Sequence, residues 1–242
     1  MILAIDVGNT QIKTAVFEQN TILEKHYIPF LNWKITVEKT LKLFKEIDTI
    51  VIASVGKLEK LDFLNFNKSL KVVFITNQSK FPFINKYATP LTLGIDRMVL
   101  ASGATLQFPN SYKLIIDAGT CITYDFVDVN NNYIGGAISP GIKLRYESLH
   151  NYTAKLPLLV KENPNYIIGD STNKSIHSGI INGVCAEINF FIDSHNSKNE
   201  NFIIILTGGD SDFLAKRLKN TIFANSNFLL ESLVHTYQFN QK

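Results

Sequence analysis

One short pattern occurs in both halves of the sequence and constrains the fold more than any other feature. An apolar run, an aspartate, a turn with Gly and Thr, and a second strand-like run appear at Asp6–Thr10 and again at Asp117–Thr123. Glycine lets a phosphate approach the backbone closely, and threonine hydroxyls and main-chain N–H groups can donate hydrogen bonds to it. One such turn is equally typical of an ordinary hairpin. The repeat predicts two similar subdomains that face a shared cleft.

Composition excludes several classes of protein. Of the 242 residues, 45% are hydrophobic and 19% are charged, as in an ordinary globular protein. The net charge is only +3 and the basic residues are dispersed, so no nucleic-acid-binding surface is predicted. Two cysteines are too few for a disulfide framework and favour a reducing cytoplasm. No apolar segment is long enough for a signal peptide or a membrane span. We therefore expect a cytoplasmic protein without a membrane or nucleic-acid partner.

Hydrophobic periodicity predicts three strands followed by alternating helices and strands in each half. The first helix is predicted through Val37, Leu41, Phe44 and Ile47, with Thr36 as its cap. Residues 57–68 are predicted to be helical or mixed, and 77–94 to form a long loop. The other elements are predicted as strands 2–6, 12–17, 21–28, 49–53, 71–75, 113–117, 121–128, 132–138 and 202–206, and as helices 96–107, 142–152, 174–194 and 212–219. This order predicts α/β subdomains at 1–110 and 111–242.

The first turn is a candidate phosphate site. Its amides and the Thr10 hydroxyl would hold ATP phosphates, Lys13 would supply positive charge, and Asp6 would face a metal ion. The alternative is a surface turn with a solvated lysine, which is the more ordinary role for Lys13 alone. The second copy of the motif favours the phosphate site.

The second turn brings a candidate cation ligand, Asp117, close to Thr120. A carboxylate at the end of a buried strand is costly unless it is paired or coordinated. Asp117 could bond the turn amides, or it could bind a cation beside the nucleotide. A carboxylate with backbone carbonyls suits alkali or alkaline-earth ions better than zinc.

Asp96 and Arg97 stand between the long loop and a helix, and two interpretations are open from spacing alone. Asp96 could cap the helix. It could instead accept the proton of an attacking hydroxyl, because the base in phosphoryl transfer mainly has to orient that hydroxyl. Arg97 would then grip an anionic substrate with its planar fork. Farther along, the glycines of Thr207-Gly208-Gly209-Asp210 would let an adenosine ring approach the backbone.

Taken in order, these motifs resemble the type III pantothenate kinases of bacteria, which belong to the superfamily of sugar kinases, actin and heat-shock chaperone ATPases. The resemblance covers nearly the whole chain. It rests on the two aspartate turns and on Tyr87-x-x-Pro90-x-x-Leu93-Gly94-Ile95-Asp96-Arg97, Gly135-Gly136-Ala137-Ile138-Ser139-Pro140-Gly141, Ala154-Lys155-Leu156-Pro157, Gly169-Asp170-Ser171-Thr172 and Thr207-Gly208-Gly209.

This resemblance implies a fold, a reaction and a set of site residues. The fold would be α/β, with two ribonuclease-H-like, actin-like subdomains whose mixed sheets are flanked by helices. The enzyme would phosphorylate pantothenate with ATP and magnesium in the first step of coenzyme A synthesis, as a homodimer. Asp96 would be the catalytic proton acceptor, and Asp117 would bind a monovalent cation, potassium or ammonium. ATP would be bound by Asp6, Val7, Gly8, Asn9, Thr10, Gln11, Ile12, Lys13 and Thr120, and pantothenate by Tyr87, Gly94, Ile95, Asp96, Arg97 and Thr172.

Two alternative functions remain open. The chain could phosphorylate the hydroxyl of a different small molecule, although such a kinase should lack the loop from Tyr87 to Arg97. It could also be a non-catalytic regulator, because some relatives were first described as accessory factors for transcription. Retention of Asp6, Asp96, Asp117 and Thr120 argues against a loss of catalysis.

Overall fold

The computed structural model describes residues 1–55, 58, 70–196, 202–218 and 222–242. By contacts between Cα atoms the chain divides into two units. Unit 1 comprises Met1–Pro109, Asn131–Tyr133 and Asn227–Lys242, and unit 2 comprises Asn110–Asn130 and Ile134–Ser226. The sequence-based division at 110/111 stays a prediction. The contact-based units differ from it by placing the C-terminal segment with the first half.

Strands and helices contribute to both units. The strands are β1 (Ile2–Val7), β2 (Ile12–Glu18), β3 (Thr21–Ile28), β4 (Thr49–Ser54), β5 (Lys71–Phe74), β6 (Ile84–Asn85), β7 (Tyr112–Ala118), β8 (Cys121–Val127), β9 (Asn132–Pro140), β10 (Phe202–Thr207) and β11 (Phe223–Ala224). The helices are α1 (Trp33–Leu43), α2 (Ile95–Gln107), α3 (Ile142–Asn151), α4 (Thr172–Asn196), α5 (Ser211–Ala215) and α6 (Phe228–Phe239). Among the described residues, no helix is long and apolar enough to cross a lipid bilayer.

The sheet of unit 1 has the strand order β3-β2-β1-β4-β5. β1, β2 and β3 form an antiparallel meander, and β4 and β5 continue the sheet parallel to β1. β1 and β4 are apolar runs that lie inside the sheet, as is typical of strands covered on both faces. The core of the unit contains side chains from both strands and from α1, including Leu3, Ile5, Ile50, Trp33 and Val37.

The sheet of unit 2 repeats this order. Its strands run β9-β8-β7-β10-β11, so a hairpin of β7 and β8 is followed by β10 and β11, both parallel to β7 and to each other. The start of β9, at Asn132 and Tyr133, pairs with β6. The long helix α4 covers the sheet with buried side chains at the predicted spacing, namely Ile176, Ile180, Val184 and Ile188. The same strand order in both units is the duplication that the two aspartate turns predict.

The structure corrects the prediction for the first helix. α1 begins at Trp33 and ends at Leu43, so Phe44 and Ile47 pack against the core from the segment after it. Thr36 is not its cap, because its hydroxyl donates to the Asn32 carbonyl one turn earlier, at 3.0 Å. The helix starts earlier because the Trp33 ring is buried on the same face as Val37.

Other elements differ from the sequence prediction in extent. The helix predicted over 212–219 spans only Ser211–Ala215, and residue 219 lies outside the described part of the chain. The prediction for 57–68 also lies outside it, apart from residue 58. The sequence does not predict α6, whose side chains are buried almost all round the helix, including Leu229, Ser232 and Val234. A helix without a polar face has no amphipathic period to detect.

Helix α6 packs against α2 at an unusually close point. A Cβ atom added to Gly103 of α2 would lie 1.9 Å from Ser232 Oγ of α6. One turn away, the Thr236 hydroxyl donates to Ser102 Oγ at 2.8 Å, and all three hydroxyl-bearing residues are fully buried. Because glycine has no side chain, the two helix backbones can approach here, which fixes α2 along its length.

Candidate active site

The first turn follows β1 and carries a buried carboxylate. Asp6 is 3% exposed, and its strand partner on β2 is Lys13, whose Nζ lies 3.7 Å from Asp6 Oδ2. The turn closes with the Gly8 N–H donating to the Gln11 carbonyl at 3.2 Å, which leaves the side chains of Asn9 and Thr10 exposed. The negative charge on Asp6 is therefore offset by a lysine within the same hairpin, and the tip of the turn is open to a ligand.

The second turn, Gly119–Thr120, follows β7 in the same way but has different neighbours. Asp117 pairs with Thr123 on β8 and with Thr207 on β10, so both of its strand partners are neutral. The Gly119 N–H donates to the Cys121 carbonyl, and the exposed Thr120 accepts at its carbonyl from the Gly141 N–H, both at 3.0 Å. The residue across the hairpin is therefore a threonine for Asp117, where it is a lysine for Asp6.

Gly208 brings two oxygen atoms together beside the second turn. Its φ is +94°, and an added Cβ would lie 2.4 Å from both Asp117 Oδ1 and the Ala118 carbonyl oxygen. A carboxylate oxygen and a main-chain carbonyl oxygen thus both pack against the glycine backbone and lie close to each other. Oxygen donors of this kind suit a hard cation. The described residues contain no group of three or more His, Cys, Asp or Glu side chains placed to hold a metal ion, so a cation here would need main-chain oxygens as well.

Asp96 lies in the first turn of α2. The N-cap position, directly before the helix, is held by Gly94. Asp96 Oδ1 accepts a hydrogen bond from the Arg97 N–H at 2.8 Å. Within the described part of the chain, Asp96 Oδ2 accepts none. The carboxylate therefore satisfies one helix amide, as in the capping interpretation, while its second oxygen is available to a substrate hydroxyl. A negative charge is also favourable in the first turn of a helix.

Arg97 and Tyr87 form the neighbouring part of the site. Arg97 is 6% exposed, and its guanidinium carbon lies 5.8 Å from the centre of the Tyr87 ring. Tyr87 meets the fully buried Tyr133 edge to face at 6.1 Å, and its N–H donates to Asn85 Oδ1 at 2.9 Å. Tyr87 is thus held from two sides. The structure brings together the predicted residues Tyr87, Asp96 and Arg97 within unit 1.

Thr172 belongs to unit 2 and begins α4. It lines a cavity of about 600 Å³ with the preceding segment Gly169–Ser171 and apolar residues such as Leu149 and Ile176. Asp170 and Lys174 form an ion pair at 2.8 Å on its rim, and the hydrogen bond from Lys174 lowers the pKa of the exposed Asp170 carboxyl. The mixed hydroxyl and apolar lining fits an uncharged part of a small molecule.

A second cavity in unit 2, of about 410 Å³, adjoins the second turn. Its lining includes Ile142, which follows Gly141, and Asp210, whose N–H donates to the Ala118 carbonyl at 3.0 Å. Tyr146 and Leu159 contribute apolar wall, and Lys161 pairs with Asp210 at its edge. Asp210 could be found from the sequence, because it belongs to the glycine motif Thr207-Gly208-Gly209-Asp210. No local pattern marks Tyr146 or Lys161, because they come from other parts of the chain.

The duplicated sheets, each with an aspartate turn, define an actin-like α/β fold. Two solved structures share the fold. A conserved Campylobacter jejuni protein, described as a candidate Baf family transcriptional activator, matches with a TM-score of 0.64 at 20% identity over 99% of this chain and 98% of that one. The activator of the 2-hydroxyisocaproyl-CoA dehydratase from Clostridium difficile, with bound ADPNP, matches with a TM-score of 0.57 at 12% identity. The match covers 99% of this chain and 96% of that one. The predicted fold class is confirmed.

Sequence comparison identifies the family. The model of the type III pantothenate kinase family matches residues 2–194. Type III pantothenate kinases of Flavobacterium johnsoniae and Christiangramia forsetii are 62% and 48% identical to this chain, covering 99% and 100% of it and 98% and 99% of the relatives. The chain belongs to the type III pantothenate kinase family, which phosphorylates pantothenate in coenzyme A biosynthesis. It is a kinase whose substrates are pantothenate and ATP, with Mg²⁺ accompanying ATP.

Proposed function

We propose that Asp96 accepts the proton of the primary hydroxyl of pantothenate during phosphoryl transfer from ATP. The hydroxyl oxygen forms a bond to the γ-phosphorus, the bond from that phosphorus to the bridging oxygen of ADP breaks, and the proton passes to Asp96. One observation carries the assignment: Asp96 Oδ1 is fixed by the Arg97 N–H, and Oδ2 has no hydrogen bond from the described residues. Such a carboxylate can orient a nucleophile, which is most of what this chemistry requires. The products are 4'-phosphopantothenate and ADP.

Residues 6–13 and Thr120 would bind the ATP phosphates. Main-chain N–H groups and the exposed Thr10 and Thr120 hydroxyls are suitable donors, and Lys13 adds positive charge beside Asp6. A magnesium ion bound with ATP would neutralise phosphate charge, and proteins commonly hold it through one or two carboxylates together with the phosphates themselves. Asp6 is the buried carboxylate in this turn that fits such a role.

The nucleoside part of ATP would enter the 410 Å³ cavity beside the second turn. Its walls are largely apolar, as is usual for small-molecule sites. Next to the lining residue Asp210, the Cβ position of Gly209 has no atom within 4 Å from the described residues beyond its chain neighbours. Lys161 and Asp210 stand at the edge, where they could bond ribose hydroxyls. The nucleoside would then lie on unit 2, adjacent to Thr120.

Pantothenate would be recognised through its carboxylate and its chain. Arg97 offers a planar fork that can bind two carboxylate oxygens, and the Tyr87 ring lies within cation–π distance of that guanidinium. Gly94 and Ile95 would supply the adjoining backbone. Thr172 would contribute a hydroxyl from the rim of the 600 Å³ cavity.

We further propose that Asp117 binds a monovalent cation, potassium or ammonium. The donor types suit such an ion, because Asp117 Oδ1 and the Ala118 carbonyl oxygen both lie against Gly208, which places a carboxylate oxygen and a main-chain oxygen close together beside the second turn. The residues paired with Asp117 on the two neighbouring strands are the neutral Thr123 and Thr207. The bound ion would offset charge near the nucleotide.

A homodimer is the proposed assembly. Large apolar side chains are exposed along one irregular segment of unit 2, where Tyr152, Val160, Ile167 and Ile168 are 84% to 88% exposed. A run of exposed apolar surface on this scale commonly marks a protein interface. The segment leads directly into Thr172, so a second copy seated on it would cover the rim of the 600 Å³ cavity.

The proposed location is the cytoplasm. Cys121 and Cys185 are both free thiols, which is the usual state in a reducing compartment.

Exchange of Asp96 for Asn tests the catalytic assignment. Asn keeps an oxygen that can accept from the Arg97 N–H, so Asp96→Asn should melt like the wild type. It cannot accept a proton, and loss of general-base assistance typically costs roughly 10²–10⁴ in rate. Asp212→Asn, which changes the acidic residue in the first turn of α5, is the matched control and should leave turnover unchanged.

The assay is ADP release measured with and without pantothenate. A stable Asp96→Asn protein that turns over at a rate near that of the wild type would show that Asp96 only satisfies the helix amide. Arg97→Lys keeps the charge and loses the fork, so it should chiefly raise the KM for pantothenate.

A further inference from the structure

A half-buried charge cluster in unit 2 lies outside the residues assigned to substrates. Glu187 of α4 accepts three side-chain hydrogen bonds, from Tyr124 OH at 2.7 Å, Ser139 Oγ at 2.5 Å and Arg145 Nη2 at 2.6 Å. Tyr124 is fully buried and its ring stacks on Phe191 at 4.1 Å between centres. Glu187 is therefore held by donors from β8, β9 and α3 at once.

The Arg145 guanidinium extends this cluster to the end of β9, at Ser139 and Pro140. Its Nε donates to the Pro140 carbonyl at 2.8 Å while Nη2 contacts both Glu187 and, at 3.3 Å, Ser139 Oγ. One planar group thus fixes the corner Ser139–Gly141 to helix α4. A lysine could not reproduce both contacts, because its donors are all on one nitrogen, whereas Arg145 uses two nitrogens held apart by the planar guanidinium.

The corner bears directly on the second turn. The Gly141 N–H donates to the Thr120 carbonyl at 3.0 Å, and an added Cβ at Gly141 would lie 2.2 Å from the Gly119 oxygen and 2.5 Å from the Thr120 oxygen. The corner and the turn therefore pack backbone against backbone, with no room for a side chain between them. This hydrogen bond and this packing tie the Thr120 backbone to Gly141.

We propose that Arg145 and Glu187 are positioning residues for ATP, which hold the corner Ser139–Gly141 and through it the phosphate-binding turn at Thr120. The proposal rests on the proposed ATP role of Thr120. Burial disfavours the ionised form of Glu187, but the hydrogen bonds from Ser139, Arg145 and Tyr124 outweigh this and lower its pKa. A half-buried ion pair adds little stability over a packed apolar pair, so its use here is to fix the direction and length of the contact.

The test compares Arg145→Lys with the same substitution at a control arginine, Arg217, which also bonds both a main-chain carbonyl and a side chain of α4. Arg217 also reaches α4 with one arm, donating to Asn182 Oδ1 at 2.8 Å, and donates to the Pro164 carbonyl at 3.0 Å with the other. It clamps a segment that does not include the corner. We expect Arg145→Lys to raise the KM and the Kd for ATP roughly tenfold, within the ~10²-fold that a 1 Å misplacement can cost. Arg145→Lys should leave the KM for pantothenate unchanged. Arg217→Lys should leave both the KM and the Kd for ATP unchanged.

Glu187→Gln provides a second variant that keeps the size of the side chain. It retains an oxygen for Tyr124 and Ser139 but loses the charge facing Arg145, so it should also raise the Kd for ATP. Both changes break the same contact, between Arg145 and Glu187. The double variant should therefore bind ATP about as weakly as either single variant.

Calorimetric ATP binding keeps this inference separate from the catalytic one, since it does not depend on turnover or on Asp96. Equal loss of melting temperature in Arg145→Lys and Arg217→Lys, with ATP affinity unchanged in both, would show that the cluster only stabilises the fold. A rise in the KM for pantothenate with ATP binding intact would also overturn the proposal.

Discussion

The adjacent glycines at 208 and 209 allow a matched test of how tightly the second turn is built. Gly208 has φ of +94°, and an alanine Cβ there would lie 2.4 Å from Asp117 Oδ1 and the Ala118 oxygen, and 2.6 Å from the Ala118 carbonyl carbon. Among the described residues, none other than the chain neighbours of Gly209 has an atom within 4 Å of its Cβ position. The same substitution by alanine would therefore clash with Asp117 and Ala118 at position 208, whereas at position 209 there is space for the new methyl group.

The two variants should differ in stability by several kcal/mol. A left-handed backbone costs a non-glycine residue about 1–2 kcal/mol. Overpacking against atoms that cannot move away adds about 1–3 kcal/mol. Gly208→Ala should therefore lower the free energy of unfolding by about 2–5 kcal/mol, a large part of the 5–15 kcal/mol typical of whole proteins. Gly209→Ala should lie within about 0.5 kcal/mol of the wild type, or be slightly more stable because the unfolded chain loses freedom.

The measurement is urea unfolding followed by circular dichroism, with the slope compared among the three proteins so that a change in midpoint can be read as a change in stability. Gly208→Ala should also lose cation dependence, because its new methyl group displaces Asp117 Oδ1. Equal midpoints for the two variants would refute the reasoning, since they would mean that Ala118 and Asp117 can move away without cost.

Cation dependence, assembly and pH dependence can each be measured separately. Activity should require potassium or ammonium, and equal rates in sodium-only and potassium buffers would leave Asp117 with a structural role alone. Light scattering at micromolar concentration should give the mass of a dimer, and a monomer mass would contradict the assembly proposed from Val160 and its exposed neighbours. The Glu187 pKa lies below its ordinary value of 4.5, so its contribution to stability is present above that value and is lost as pH falls through the folded-state pKa. Urea unfolding between about pH 3 and pH 5 should therefore show a weaker loss of stability in Glu187→Gln than in the wild type, and parallel curves would exclude this contribution.

Much of the fold and part of the site follow from local sequence. Strands β1 and β7, each ending near an aspartate and a glycine turn, are readable because a short apolar run followed by turn residues specifies a strand end by itself. The helical period of α4 likewise predicts its buried face. The family follows from the order of motifs along the chain, which is a property of sequence alone.

Contacts between distant parts of the chain could be known only from the tertiary structure. The close approach of Gly103 to Ser232 and the Ser102–Thr236 hydrogen bond join α2 to a helix that has no amphipathic pattern. The bond from Gly141 to Thr120 depends on how β9 returns to the second turn. Nothing in the neighbouring residues of either partner predicts such a contact.

The roles of single side chains divide in the same way. The sequence identifies Asp96 but leaves cap and proton acceptor open, and the structure shows that one of its oxygens holds a helix amide while the other faces no described donor. It does not identify Arg145 or Glu187, because their pairing spans residues 42 positions apart. Local chemistry determines which residues can act, whereas the packing of distant segments decides which atoms are held in place to do so.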